Sequence, residues 1–324
     1  MFVARIFIVA LLALAPFGAA HAQPSFATRP VRIIVPYPPG GGIDILARAL
    51  APELSSLWGQ PVVVENIAGA GGIIGTEKVA SAPGDGHTLL MATNPAVVGN
   101  RFLYKSLPYD PDRNLAPVTM VLQSGQMAVA HPSLSANTMK ELIEQVRRAP
   151  GKIAYSSYGN GSQPHLFFET LAKREGVEFL HIPYKGIAPA TTAAIAGEVM
   201  LTIASPNQLG AMVKAAKLKA LAIGAPIRSR EFPAVPTTAE AGFPYASSLI
   251  WYGMFAPATT PSALVERIAR DVAAVARRPD FAEKQITSRG LDLVAGTPAE
   301  FAAAIKAEVV STGEMVKAAG VKPE

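Results

Sequence analysis

The chain has 324 residues, half of them hydrophobic, a formal net charge of +5 and no cysteine. That length provides for two lobes of ordinary domain size, and the missing cysteines exclude a disulfide scaffold, so packing alone must hold the fold. The positive excess is small and scattered; its densest stretch, Lys214, Lys217 and Lys219, has no interleaved aromatics, which argues for a solvated face and against nucleic-acid binding.

Residues 1–22 carry an early positive charge at Arg5, an apolar run from Ile6 to Ala15, and small residues at Ala20 and Ala22. The pattern predicts a secretory signal cut after Ala22, with an uncleaved anchor as the alternative, because about ten apolar residues fall well short of the roughly 20 needed to span a bilayer. Removing it takes Arg5 away and predicts an exported, mature chain.

The first strand, 31–37, runs into "PPGGGID" and an amphipathic segment, 43–59, with Leu46, Leu50, Leu54 and Leu57 on one face. A strand follows at 62–66, a helix at 72–82 and a strand at 88–93, a βαβαβ pattern that calls for a parallel sheet covered by helices. A long β-rich stretch, 116–132, leads to a second set: helices at 138–148, 164–175 and 187–196 and one more after 204, alternating with strands at 152–157, 179–184, 199–204 and 218–224. Pro-rich 226–244 interrupts the alternation. A strand at 249–257 and helices at 261–277, 279–289 and 298–318 finish the chain. The pattern predicts an α/β protein of two lobes, 23–122 with 249–324 and 123–248, with a ligand cleft between them.

Two segments point to the chemistry of that cleft. A glycine turn between a strand and a helix leaves amide N–H groups unpaired at the helix start, where the helix dipole favours an anion. Tyr37, Pro39, Gly40, Gly41, Gly42, Ile43 and Asp44 make such a turn. Ser156, Tyr158, Gly159, Asn160, Gly161, Ser162 and His165 make the second. Facing each other, the two would clamp a carboxylate or phosphate. Asp44 suits the first helical turn through the dipole alone, or faces the pocket and meets a ligand ammonium or hydroxyl. His165 is read first as a group that stabilises its turn, with ligand contact the alternative. Tyr37 and Tyr158 are expected as pocket walls; Tyr184, Trp251 and Tyr252 are left to the core.

"ENIAGAGGIIGTEKVA" (65–80) resembles a dinucleotide loop but has Ile74 where the third glycine of that fingerprint belongs, so it reads as a third cleft wall or as close helix–strand packing. The chain has no G-x-S-x-G, H-E-x-x-H or P-loop motif, and His87, His131, His165 and His181 are too dispersed for a sequence-local metal site. No catalytic residue, cofactor or metal is therefore expected. An exported hydrolase or transferase remains an alternative that would need a nucleophile and base in the cleft.

With those residues in view, "RPVRIIVPYPPGGGIDILARAL", "GQPVVVENIAGAGGIIGTEKVASAPGDGHTLLMAT", "LPYDP", "PGKIAYSSYGNGSQPHL", "HIPYKGIAPA", "VPTTAEAGFP" and "FAPATTPSALVERI" together resemble the receptors of tripartite tricarboxylate transporters, the Bug family of periplasmic solute-binding proteins. The resemblance implies a type II periplasmic-binding-protein-like fold closing on a small organic carboxylate, a monomer, and delivery to membrane permease subunits, with signalling to a sensor kinase as the alternative role. It also implies ligand contacts from the two glycine turns and, more weakly, from Thr93 and Asn94. Relatives often carry aspartates where this chain has Met200 and Ala204; if those positions face the pocket, an amino-acid ligand is disfavoured.

Overall fold

A computed structural model describes residues 26–323. The expected signal segment lies outside the described residues. Eleven strands, β1 to β11, form two mixed sheets among the described residues. The first has the order β11-β4-β10-β3-β1-β2 and comprises β1 (Val31–Val35), β2 (Val62–Asn66), β3 (Thr88–Thr93), β4 (Leu115–Gly125), β10 (Leu249–Pro257) and β11 (Asp292–Leu293). The second has the order β7-β6-β8-β5-β9 and comprises β5 (Met127–Ala130), β6 (Ala154–Ser157), β7 (Leu180–Pro183), β8 (Leu201–Ala204) and β9 (Lys219–Ile223). This is the α/β two-lobe arrangement that the alternation of strands and helices predicts.

Each sheet is covered by helices whose apolar stripes face it. On the first lobe, α1 (Gly42–Trp58) buries Leu46, Leu50 and Leu54 against Val31, Ile33 and Val35 of β1. The expected stripe errs at its last turn: Leu57 is 52% exposed and Trp58 is buried. The indole is the larger apolar surface, and its N–H reaches Asp271 at 2.8 Å, satisfying the polar atom that burial would otherwise strand. On the second lobe, α5 (Met139–Arg148) and α6 (Gln163–Glu175) bury Leu142, Val146, Phe167, Phe168 and Leu171 around Tyr155.

The two lobes meet where strands pass from one sheet to the other. β4 ends in the first sheet at Gly125 and β5 begins in the second at Met127. Gln126 between them is locked to Ser248 and Gly224: the Gln126 N–H donates to the Ser248 carbonyl at 2.8 Å, Gly224 N–H to the Gln126 carbonyl at 2.8 Å, and Ser248 N–H to the Gly224 carbonyl at 2.9 Å. A Cβ on Gly224 would lie 2.5 Å from the Ser248 nitrogen, so only glycine lets these strands approach. The proline-rich stretch adds no regular element; Phe243 and Ala246 pack it onto the second lobe.

Strand direction then locates the mouth. Thr93 at the end of β3 pairs with Tyr252, and Gly125 pairs with Leu249, so the carboxyl ends of β1 and β3 lie beside the crossing. In the second sheet Met127 pairs with both Ala204 and Ile223, and β6 runs parallel to β8, bringing Ser157 to the same side. Both glycine turns leave strand ends that converge on the junction, the place where open α/β sheets bind ligands.

Candidate functional site

The first turn works as a preorganised set of donors. Gly40 adopts φ +87, Gly41 precedes α1 without any side-chain cap, and the amides of Gly42, Ile43 and Asp44 have no acceptor within their own helix. The space where a Cβ of Gly40 or Gly41 would stand is open. Gly42 is different: the Tyr252 hydroxyl occupies its Cβ position, so the helix start rests on that ring. Burial pushes the Tyr252 hydroxyl up to about 12, and Tyr37, also raised to about 12 by burial, bonds its hydroxyl to Thr93 Oγ1 at 2.8 Å. Both phenols stay neutral across the physiological range.

Asp44 faces its own turn. The residue is 2% exposed, and its carboxylate accepts from the Gly40 N–H at 2.9 Å, from Asn66 Nδ2 at 2.9 Å and from Arg48 Nε at 3.1 Å. Burial works against its ionisation, yet the Gly40 amide, Arg48 and Asn66 outweigh it and hold the carboxyl below its ordinary range. The expectation that the Gly40 amide is free for a ligand is corrected here, since Asp44 occupies it. The Ile43 side chain is core, so only its amide can serve the cleft.

The second turn repeats the device with a different residue. His165 Nδ1 accepts the Gly161 N–H at 2.8 Å, four residues back, as Asp44 does for Gly40. That fixes the neutral tautomer with Nε2 protonated, and burial lowers the ring's pKa to match. The imidazole stacks on His181 at 4.2 Å and 11°, and His181 in turn stacks on Tyr155. Ser157 Oγ bonds His181 Nε2 at 2.6 Å. Ser162 Oγ donates to the Gly159 carbonyl at 2.5 Å, and its N–H also bonds that carbonyl. With Pro164 lacking an N–H, the donors left at the start of α6 are the amides of Gln163 and His165, with exposed Asn160 just before them.

Between the lobes lies a cavity of about 670 Å³. Of the expected residues, Tyr37, Asn94, Tyr158, Asn160, Gly161, Ser162 and His165 line it. Pro39, Gly40, Gly41, Gly42, Ile43, Asp44, Thr93, Ser156 and Gly159 do not. Ser156 is turned away altogether: fully buried, it donates to the Ala190 carbonyl at 2.9 Å. Gly161 keeps a place on the wall, but Leu103 of the first lobe lies against its bare backbone, so with its N–H on His165 it offers no free donor. Burial raises Tyr158 to about 12, with Gln126 beside its hydroxyl, tying the second turn to the crossing. Met200 and Ala204 are not among the lining residues; Met200 packs beside Ser133 and Ala204 lies in the second-lobe core.

Several lining residues have no local signal in the sequence. Residues 95–103 form a helical segment that follows β3 along the cavity, with Pro95 at its first position, where a missing N–H costs nothing. It contributes Val98, Asn100 and Leu103. Glu308 and Thr312 come from α11 (Pro298–Ala319), more than 200 residues from Asn94. Both readings of the 65–80 loop hold in part: Gly71 lines the cavity, and a Cβ on Gly75 would lie 2.5 Å from the Ile67 carbonyl. Among the described residues no cluster of three or more His, Asp or Glu is arranged to hold a metal ion, and no helix is long and apolar enough to cross a membrane.

A family model described as the tripartite tricarboxylate transporter family receptor matches residues 46–321. Protein BugT of Bordetella pertussis is 35% identical over 313 residues, 96% of this chain and 95% of its own length. Among solved structures, an R. palustris protein determined with adipate superposes with a TM-score of 0.81 at 31% identity, covering 92% of this chain and 99% of that one. MatC from Rhodopseudomonas palustris, with bound malate, gives 0.76 at 27% identity, covering 89% and 99%. With the start of α6 on an inter-lobe cavity and a family match across most of its length, the chain belongs to the tripartite tricarboxylate transporter receptor family.

Proposed function

We propose that this protein is an exported, non-catalytic receptor that captures a small organic carboxylate between its lobes and presents the closed form to a membrane permease. One observation carries the reading: the uncapped start of α6 lines a cavity of about 670 Å³ between the lobes, and the uncapped start of α1 belongs to the same turn as Tyr37, which lines that cavity too. Helix starts recognise a carboxylate by its charge and oxygens, whatever the rest of the molecule is. In this reading the donors are the amides of Gly41, Gly42 and Ile43 on one side and Asn160, Gln163 and His165 on the other, with Tyr37 and Tyr158 as walls. Closure adds the second set to the first, so ligand favours the closed form by its differential affinity for it. That relatives have been solved with adipate and with malate supports the ligand class.

The test is a thermal-shift and calorimetric screen of the chain from residue 23 onward, using carboxylates of three to eight carbons beside their neutral amides. The reading expects at least one acid to stabilise the protein by about 2.7 kcal/mol at a hundred times its Kd, with its amide inert. Equal binding of acid and amide, or no binding by any acid, refutes it.

A further inference from the structure

Glu308 sits on α11, yet its carboxylate is drawn into the lobe junction. Oε2 accepts the Trp251 indole N–H at 2.5 Å, and Oε1 accepts Asn94 Nδ2–H at 2.7 Å. The same Asn94 nitrogen donates to the Leu249 carbonyl at 2.9 Å, so two acceptors fix the orientation of the amide. Its Oδ1 is therefore an acceptor by assignment, and this oxygen is buried, in a residue 1% exposed, with no hydrogen-bond partner. Buried polar atoms are nearly always paired, so an orphan of this kind calls for a donor that the protein does not supply. Glu308, with one donor on each oxygen, also keeps unused lone pairs.

Both residues line the inter-lobe cavity, and among the described lining residues Glu308 is the one acid. This part of the wall offers acceptors, whereas the start of α6 offers N–H donors. A second carboxylate placed here would meet like charge and leave the Asn94 oxygen orphaned; an O–H or N–H would satisfy both residues.

We propose that Glu308 and Asn94 form a donor-reading subsite, so that the ligand is a carboxylate that also carries a hydroxyl or ammonium group. The assignment rests on the receptor reading and adds the feature that separates one carboxylate from another. Glu308 acts here as a specificity residue and does not hold the ligand's carboxylate. Since positions 200 and 204 do not line the cavity, their lack of acid does not argue against an ammonium.

The experiment is calorimetry on wild type and Glu308→Gln with matched acids: succinate, malate and aspartate; propionate, lactate and alanine; adipate and its 2-hydroxy and 2-amino derivatives. In wild type, the hydroxyl- or ammonium-bearing member should bind about ten-fold or more tighter than its parent, the scale of one hydrogen bond to a charged group. Glu308→Gln, which removes the charge and one of the two acceptor oxygens, should cut that advantage to within about three-fold, with the ammonium arm losing more. As a readout independent of any variant's folding, the donor-bearing ligand should shift Trp251 emission in wild type where the parent does not. Parents and derivatives that bind alike, or an advantage that survives in Glu308→Gln, overturn the subsite and leave the receptor reading standing. Failure of every acid to bind either protein overturns both.

Discussion

Replacing Asp44 with alanine removes three hydrogen bonds from the first glycine turn in one step: those from Gly40, Asn66 and Arg48. The losses do not add in full. Gly40 is exposed and regains water, and Asn66 Nδ2 keeps its bond to the Tyr37 carbonyl at 3.1 Å. What remains is the loss of charge-assisted bonds around one buried carboxylate, about 2–3 kcal/mol. Urea unfolding should show a lower midpoint with an unchanged slope, and the tightest acid from the screen should lose about ten-fold in affinity as the turn loosens. Because Asp44's folded pKa lies below its ordinary value of 3.8, its stabilisation is complete above that value. It is lost as the pH falls through the folded pKa, so Asp44→Ala should flatten the acid limb of the stability curve below pH 4. Asp44→Asn, which keeps one acceptor oxygen, should fall between. An alanine variant within about 0.5 kcal/mol of wild type that binds acid equally well would show that Asp44 does not hold the turn.

Gly42→Ala should destabilise wild type because the new methyl overlaps the Tyr252 hydroxyl; in a Tyr252→Phe background it should become neutral or gain up to about 1 kcal/mol of helix propensity, a double-mutant cycle in urea being the measure. Gly161→Ala meets both a φ of +72 and the Leu103 side chain, so Leu103→Ala should recover the steric part of the loss and leave about 1–2 kcal/mol of backbone strain. Burial and the neighbouring His165 lower His181 to about 4 from an ordinary 6.5. The unfolded chain then binds the extra proton first, so stability is full above 6.5 and declines towards pH 4 with a slope of at most about 1.4 kcal/mol per pH unit. His181→Asn should reduce the slope in urea titrations between pH 7 and 4 to what His165, also lowered by burial, contributes.

The fold was legible wherever a residue's environment follows from its near neighbours. Leu46, Leu50 and Leu54 announce α1 by spacing, and the glycine turns at 40–42 and 159–161 announce helix starts at the ends of strands. The same reasoning missed where long-range geometry decides. Trp58 displaced Leu57 because Asp271, distant in sequence, accepts its N–H. The Gly40 and Gly161 amides looked free because a helix start exposes N–H groups, but Asp44 and His165, four residues on, fold back to take them. That spacing was readable, and an acceptor at the fourth residue after a glycine turn is the signal that would have found it. Glu308 and Leu103 had no such signal: each reaches the cavity from an element whose own pattern is only that of a helix.

The most direct test of the central claim is a crystal structure of the protein with its tightest acid from the screen. The ligand's carboxylate should lie between the lobes, within hydrogen-bond distance of at least one amide among Gly41, Gly42 and Ile43 and one among Asn160, Gln163 and His165. A carboxylate held by one lobe alone, or bound away from the junction, would contradict the account.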